Sequence, residues 1–215
     1  MNLLILTLGL WAATPQGLPV DRWSEASTPQ LRQLSRSAQG AERGTVHLLL
    51  ASRDTADASS LDIAWAALDS LQRAAPSPLH AALLGTAEAL QARRVRGDAI
   101  AATRWVGKSM EHLEAAVQGD PRSATIRIFR IHSLVEVPEI FHVDVLLKED
   151  AAFLRGLSPR LPAADPAALL ALAAVEYRFG RLTEASALWK LVAGRKEAAE
   201  IHRTQARRRL EALRD

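Results

Sequence analysis

The sequence predicts an all-α fold, and three observations carry that prediction. Alanine and leucine dominate an apolar share of 48% in 215 residues, while aromatic residues make up only 5%; Ala and Leu are strong helix formers, whereas strands draw on Val, Ile, Tyr and Thr. Apolar residues return at steps of three and four, as in Leu61, Trp65, Leu68 and Leu71, which is the stripe of an amphipathic helix. No stretch alternates with period two for long enough to form a strand.

Taken in order, the chain opens on an apolar run from Leu3 to Ala13, LLILTLGLWAA. It is shorter than the roughly 20 residues a membrane-spanning helix needs. It has the length of the hydrophobic core of a secretory signal, and small residues follow it. Residues 1–17 are therefore expected to be a signal peptide, and the protein to be periplasmic or secreted. Residues 18–44 are polar and read as an irregular N-terminal segment, with helix-compatible residues over Thr28 to Ala38. The remainder, 45–215, reads as one helical-repeat domain.

Within that domain Thr45 to Ser52 closes a first helix, Arg53 to Ser59 is a loop, and Ser60 is placed to cap the striped helix that follows. Pro76 and Pro78 stop that helix, and Leu79 to Val95 forms the next. After the Gly97-Asp98 break, Val106, Met110, Leu113 and Val117 mark another stripe, ended by Gly119-Asp120-Pro121. Ser123 or Ala124 opens a helix that stops before Pro138. The irregular PEIFHVD leads to a helix over Val145 to Leu157, and a Pro-rich link, Ser158 to Pro166, follows. Ala167 to Phe179 and Arg181 to Ala193 make a hairpin, and Arg195 to Arg214 the last helix.

Pro76, Pro121 and Pro166 are spaced by 45 residues each time. Each falls just before a helix, where the fixed φ and missing N–H of proline do least harm, and equal spacing is a signature of helical repeats. Leu169 to Ala193 resembles a tetratricopeptide repeat: Leu169, Leu172 and Ala173 in the first helix, Gly180 in the turn, Glu184-Ala185 early in the second, and Trp189 four residues on. The aromatic of that family falls where Glu176 stands, and Tyr177 comes one position later. From His80 to Leu157 the chain is similar to bacterial tetratricopeptide-like proteins of unassigned function, through Asp120-Pro121, Ile126-Arg127, Arg130 and Pro138-Glu139-Ile140-Phe141. The resemblance implies a right-handed superhelix of antiparallel helical hairpins, a tetratricopeptide-like α-solenoid, with a concave groove made by the first helices. Arg127 and Arg130, on a helix otherwise apolar on most sides, would either line that partner-binding groove or form an internal salt bridge.

Chemistry-bearing patterns are sparse. The chain has no cysteine, which removes disulfides, thiolate metal sites and thiol nucleophiles together. No G-x-S-x-G, P-loop or dinucleotide fingerprint is present. The adjacent carboxylates Glu149 and Asp150 point about 100° apart on a helix rather than at one substrate atom. Of six histidines, His132 with Glu136, Glu139, His142 and Asp144 makes the best metal cluster, yet it lacks a recognised ligand spacing. His202 belongs at the edge of a core stripe, and Trp65, Trp105 and Trp189 belong to the core. An Arg-rich C-terminal helix and a basic patch of Arg93, Arg94, Arg96, Arg104 and Lys108 suit an acidic protein, phosphate groups or an anionic membrane surface. A net charge of +3 and the absence of interleaved aromatics argue against nucleic acid. The expectation is a non-catalytic protein without cofactor or metal that mediates protein–protein interaction in the cell envelope. The alternative is a solute-binding accessory protein of a transport system, holding a small molecule in a closed helical body.

Overall fold

Short polar side chains set where the helices begin. In the computed structural model, which describes residues 25–54, 57–157 and 165–213, Ser27 and Gln30 form a capping box at α1 (Thr28–Leu34). Helix α2 spans Gly40–Arg53. Asp57 caps α3 (Ala58–Ala74), Ser77 caps α4 (Pro78–Arg94), and Asp98 caps α5 (Ala99–Gly119). Ser123 caps α6 (Ala124–Leu134). A 3₁₀ turn, Glu139–Phe141, then leads into α7 (Asp144–Leu157). Asp165 caps α8 (Pro166–Arg178), with proline in the first turn; α9 (Leu182–Gly194) and α10 (Glu200–Glu211) complete the chain. Each capping oxygen accepts from a backbone N–H that the first turn leaves without a helical partner.

The all-α prediction holds: among the described residues there are ten α-helices and no strand. Helices α3 to α9 fall within a few residues of their expected bounds. Three local expectations need correction. Residues 18–44 are not irregular throughout, because α1 lies there and α2 starts at Gly40, so the 44/45 boundary cuts a helix. The cap of α3 is Asp57, whose Oδ1 accepts from the Ser60 N–H at 3.0 Å. The last helix begins at Glu200, after a turn over 195–199. The expected signal peptide, 1–17, and the link residues 158–164 lie outside the described residues. No described helix is long and apolar enough to cross a membrane.

Neighbouring helices pack in pairs: α2 with α3, α4 with α5, α6 with α7, α8 with α9. Each even helix also meets the next even one, α2 on α4, α4 on α6, α6 on α8, α8 on α10. Of these, α4 and α8 are the most enclosed. Helix α4 buries residues on all sides, from His80 to Ala92, and α8 buries Leu169 to Ala173, Val175 and Glu176.

The core follows the same series. One cluster joins Leu48, Leu61, Leu68 and Leu84 across α2 to α4, a second joins Leu113, Ile131, Leu147 and Leu172 across α5 to α8, and a third gathers Leu169, Trp189 and Ala206 at the C-terminal end. The tightest approach is α4 on α5. A Cβ on Gly85 would stand 2.8 Å from Leu113 Cγ and 3.0 Å from the Ser109 carbonyl, and Ser109 Oγ donates to the Gly85 carbonyl at 2.7 Å.

Candidate functional site

Helix α6 places Arg127 and Arg130 one turn apart, and α7 carries Glu149 and Asp150 opposite them. Arg130 Nε donates to Asp150 Oδ2 at 2.7 Å and its Nη2 to Oδ1 at 2.6 Å, the two-pronged fit that a planar guanidinium makes with a carboxylate. Arg127 Nη1 donates to the same Oδ1 at 2.7 Å and to Glu149 Oε1 at 2.9 Å. Its Nε and Nη2 reach the Pro121 carbonyl at 3.3 and 3.1 Å, and its guanidinium lies 4.3 Å from the Phe153 ring centre. Burial acts to lower the Arg130 pKa, but the hydrogen bonds and charges of Asp150 and Glu149 outweigh it and the net shift is upward. Glu149 is held below the usual carboxylate range chiefly by its hydrogen bond from Arg127.

Arg127 and Arg130 are 6% and 2% exposed and Asp150 is fully buried. They do not line a partner groove; they are the internal salt bridge. The reason is where α6 lies: it packs on α4, α5, α7 and α8, and the face with Arg127 and Arg130 is turned to α7. The divergence of Glu149 and Asp150 along their helix is what lets one carboxylate point inward while the other stays half-exposed.

The basic patch divides in two. Arg93 bonds the His132 carbonyl and Glu136, each at 3.3 Å, and Arg94 pairs with Asp62 at 2.8 Å. Lys108 rests over Trp105, 5.0 Å from the ring centre. Arg96 and Arg104 are exposed and form no ion pair among the described residues. Ile100, Arg104 and Lys108 are four apart on α5 and so share one face, and Ile100 is 71% exposed. This stripe is the part of the patch still open to a partner.

The histidine cluster does not assemble. Among the described residues no three His, Asp or Glu side chains are placed to hold a metal; Glu136 is taken by Arg93 and Arg209, and Asp144 by Arg178. Burial first, then the charges of Arg93 and Arg209, push the His132 pKa down to about 4. His202 sits at the core edge, as its stripe implies, with Nδ1 buried and without a hydrogen-bond partner among the described residues.

One arrangement escaped the sequence. His47 Nδ1 stands 3.3 Å from Ser60 Oγ, which donates to Asp57 Oδ2 at 2.7 Å. Here the carboxylate holds the serine rather than the imidazole, unlike a hydrolytic triad, in which the acid orients the histidine. Asp57 is explained by its capping role.

The residues of the last hairpin take the following places. Trp189 is 2% exposed in the third core cluster, and Gly180 adopts φ +73° in the α8–α9 turn, a conformation that glycine reaches without strain. Glu176, standing where the tetratricopeptide family has its aromatic, is buried and bonded by Arg155 and Arg181. Tyr177 instead packs on Trp189, ring centres 5.7 Å apart. Trp65 and Trp105 meet edge to face at 5.6 Å between α3 and α5. A shallow depression of about 440 Å³ lies on α9, lined by Leu182, Thr183, Ser186, Ala187 and Lys190. No family model, no curated protein and no solved structure matches the chain.

Proposed function

We propose that this chain is a non-catalytic, tetratricopeptide-like helical-repeat protein that holds a protein or peptide partner in the cell envelope. The observation that carries the reading is the serial packing, in which each even helix pairs with the odd helix after it and meets the next even one. Hairpins stacked that way in a right-handed superhelix present a long surface and no single reaction centre. The buried Trp189 and the positive φ of Gly180 support the family assignment. Placement in the envelope rests on the Leu3 to Ala13 run. The exposed Ile100–Arg104–Lys108 stripe, with Arg96 beside it, is the surface offered to an acidic partner.

The test compares the wild-type chain with R96E/R104E in affinity capture from a native envelope fraction, beside a thermal-shift screen against small solutes. Capture of a partner that the variant loses, without a solute-induced shift, supports the reading. A solute that raises the melting temperature, with nothing captured, overturns it in favour of the solute-binding accessory protein. Mass spectrometry of the mature N-terminus tests export separately.

A further inference from the structure

The turns of successive hairpins lie next to one another along one edge of the array. Arg93, near the end of α4, donates to the His132 carbonyl near the end of α6 at 3.3 Å. Arg178, the last residue of α8, donates to the Val135 and Val137 carbonyls just past α6 at 2.8 and 2.7 Å, and pairs with Asp144 at the start of α7. The C-terminal ends of α4, α6 and α8 are therefore neighbours, and so are the turns that leave them. The α2–α3 turn joins the row, because Asp62 in α3 accepts from Gln91 of α4 at 3.2 Å and pairs with Arg94.

This edge carries aliphatic side chains in water. Ile100 opens α5, Ile140 stands in the 3₁₀ turn, Val145 opens α7, and Tyr177 and Leu182 flank the α8–α9 turn. They are 71%, 77%, 73%, 46% and 50% exposed. The remaining exposed large hydrophobic among the described residues is Leu157, at the far end of α7. An exposed aliphatic residue standing alone needs no explanation, but five on three successive turns form a row. The charges of the edge largely cancel. Glu136 is held by Arg93 and Arg209, Asp144 by Arg178, and Asp62 by Arg94, while exposed Glu139 and Glu184 stand against exposed Arg96 and Lys148.

We infer that this edge rests on the surface of a lipid bilayer, with Ile140 and Val145 at its centre inserted among the headgroups. Two observations favour lipid over a protein. The aliphatic tips stand on separate turns, about 8–10 Å apart from helix to helix, so a protein would need a socket for each, whereas acyl chains need none. The chain that follows the apolar Leu3–Ala13 run also enters the folded body here. Arg53 Nη1, at the end of α2, donates to the Ala26 carbonyl at 2.6 Å. A segment whose length suits insertion at a membrane thus leads into the turn edge and not the opposite one. With charge nearly balanced, apolar burial supplies the binding, and Tyr177 suits a position where one side is apolar and the other wet. The inference rests on the envelope placement in the proposed function, and not on the partner.

The test is co-sedimentation of the full chain with phosphatidylcholine vesicles, repeated with phosphatidylglycerol added. Wild type is expected to bind both sets, and I140S/V145S to bind roughly 10- to 100-fold more weakly. Leu157→Ser, at the opposite end, is expected to bind like wild type. The seat is refuted if wild type stays in solution, if I140S/V145S binds as wild type does, or if L157S loses as much. Binding to the anionic vesicles alone makes the basic residues the contact and also overturns it. So does a dimer of the chain, seen by light scattering, that I140S/V145S breaks without any vesicle binding. Should the double variant not fold, I140S decides, with a loss of roughly 3- to 10-fold. Ile100, Arg104 and Lys108 are unchanged throughout and no protein partner enters the measurement, so the partner reading stands or falls apart from it.

Discussion

Replacing Asp150 by asparagine tests whether the two arginines are structural ties. Asp150 is fully buried and accepts three hydrogen bonds, two from Arg130 and one from Arg127, at 2.6 to 2.7 Å. Asparagine keeps the shape but removes the charge and turns an NH₂ group toward a guanidinium. Arg130 keeps at most the amide oxygen as an acceptor there, and its one remaining carboxylate is Glu149, at 3.4 Å. Stranding a buried charge in this way costs roughly 3–5 kcal/mol. For a chain of this size that is a fall of roughly 6–20 °C in Tm. Urea denaturation followed by circular dichroism measures it, with an unchanged m-value showing that stability alone has moved. Glu149→Gln is the control: its side chain is 52% exposed, so solvent screening limits the loss to about 1 kcal/mol or less. If D150N costs no more than E149Q, the network is not a structural tie and the arginines are available for other work.

Four further outcomes are expected. Trp189→Ala removes a buried aromatic from the C-terminal cluster and should cost about 3–5 kcal/mol; unchanged melting would sink the family assignment of the last hairpin. Gly85→Ala drives a Cβ to 3.0 Å from the Ser109 carbonyl and should destabilise by roughly 1–3 kcal/mol. Gly107→Ala, on the open side of α5 with nothing within 4 Å, should gain about 0.5–1 kcal/mol, and a denaturant series on the pair checks that opposite sign. His112 has its pKa raised by the hydrogen bond it donates to buried Glu88, against the opposing effect of burial. Its contribution is therefore complete below the unfolded pKa of about 6.5 and is lost as pH rises through the folded value. Wild type should lose unfolding free energy relative to H112Q between pH 6 and pH 9, and parallel profiles would refute the pairing.

The elements were legible because their signals are local. A capping residue, a three–four stripe and a proline sit within a few positions of the helix they define, so α3 to α9 fall close to expectation. Ser60 misled because Asp57, three residues earlier, offers a carboxylate to the same N–H. The site was less legible because its signals are not local. Arg127 and Arg130 read as groove-facing or internal from α6 alone, and the choice depends on how many other helices pack on α6. A clue was present in Glu149 and Asp150, two acids on the next helix facing two bases on this one. The buried Glu176 had no such clue, since Arg155 and Arg181 come from two different segments.

Burial also divides the cations by task. Three on even helices are consumed by the interior, Arg127 and Arg130 by Asp150 and Arg178 by Asp144 and the Val135 and Val137 carbonyls. An even helix that packs on several neighbours keeps little surface for a partner. Under the proposed function, contact then falls to the outward faces of the odd helices, the α5 stripe and the α9 depression foremost.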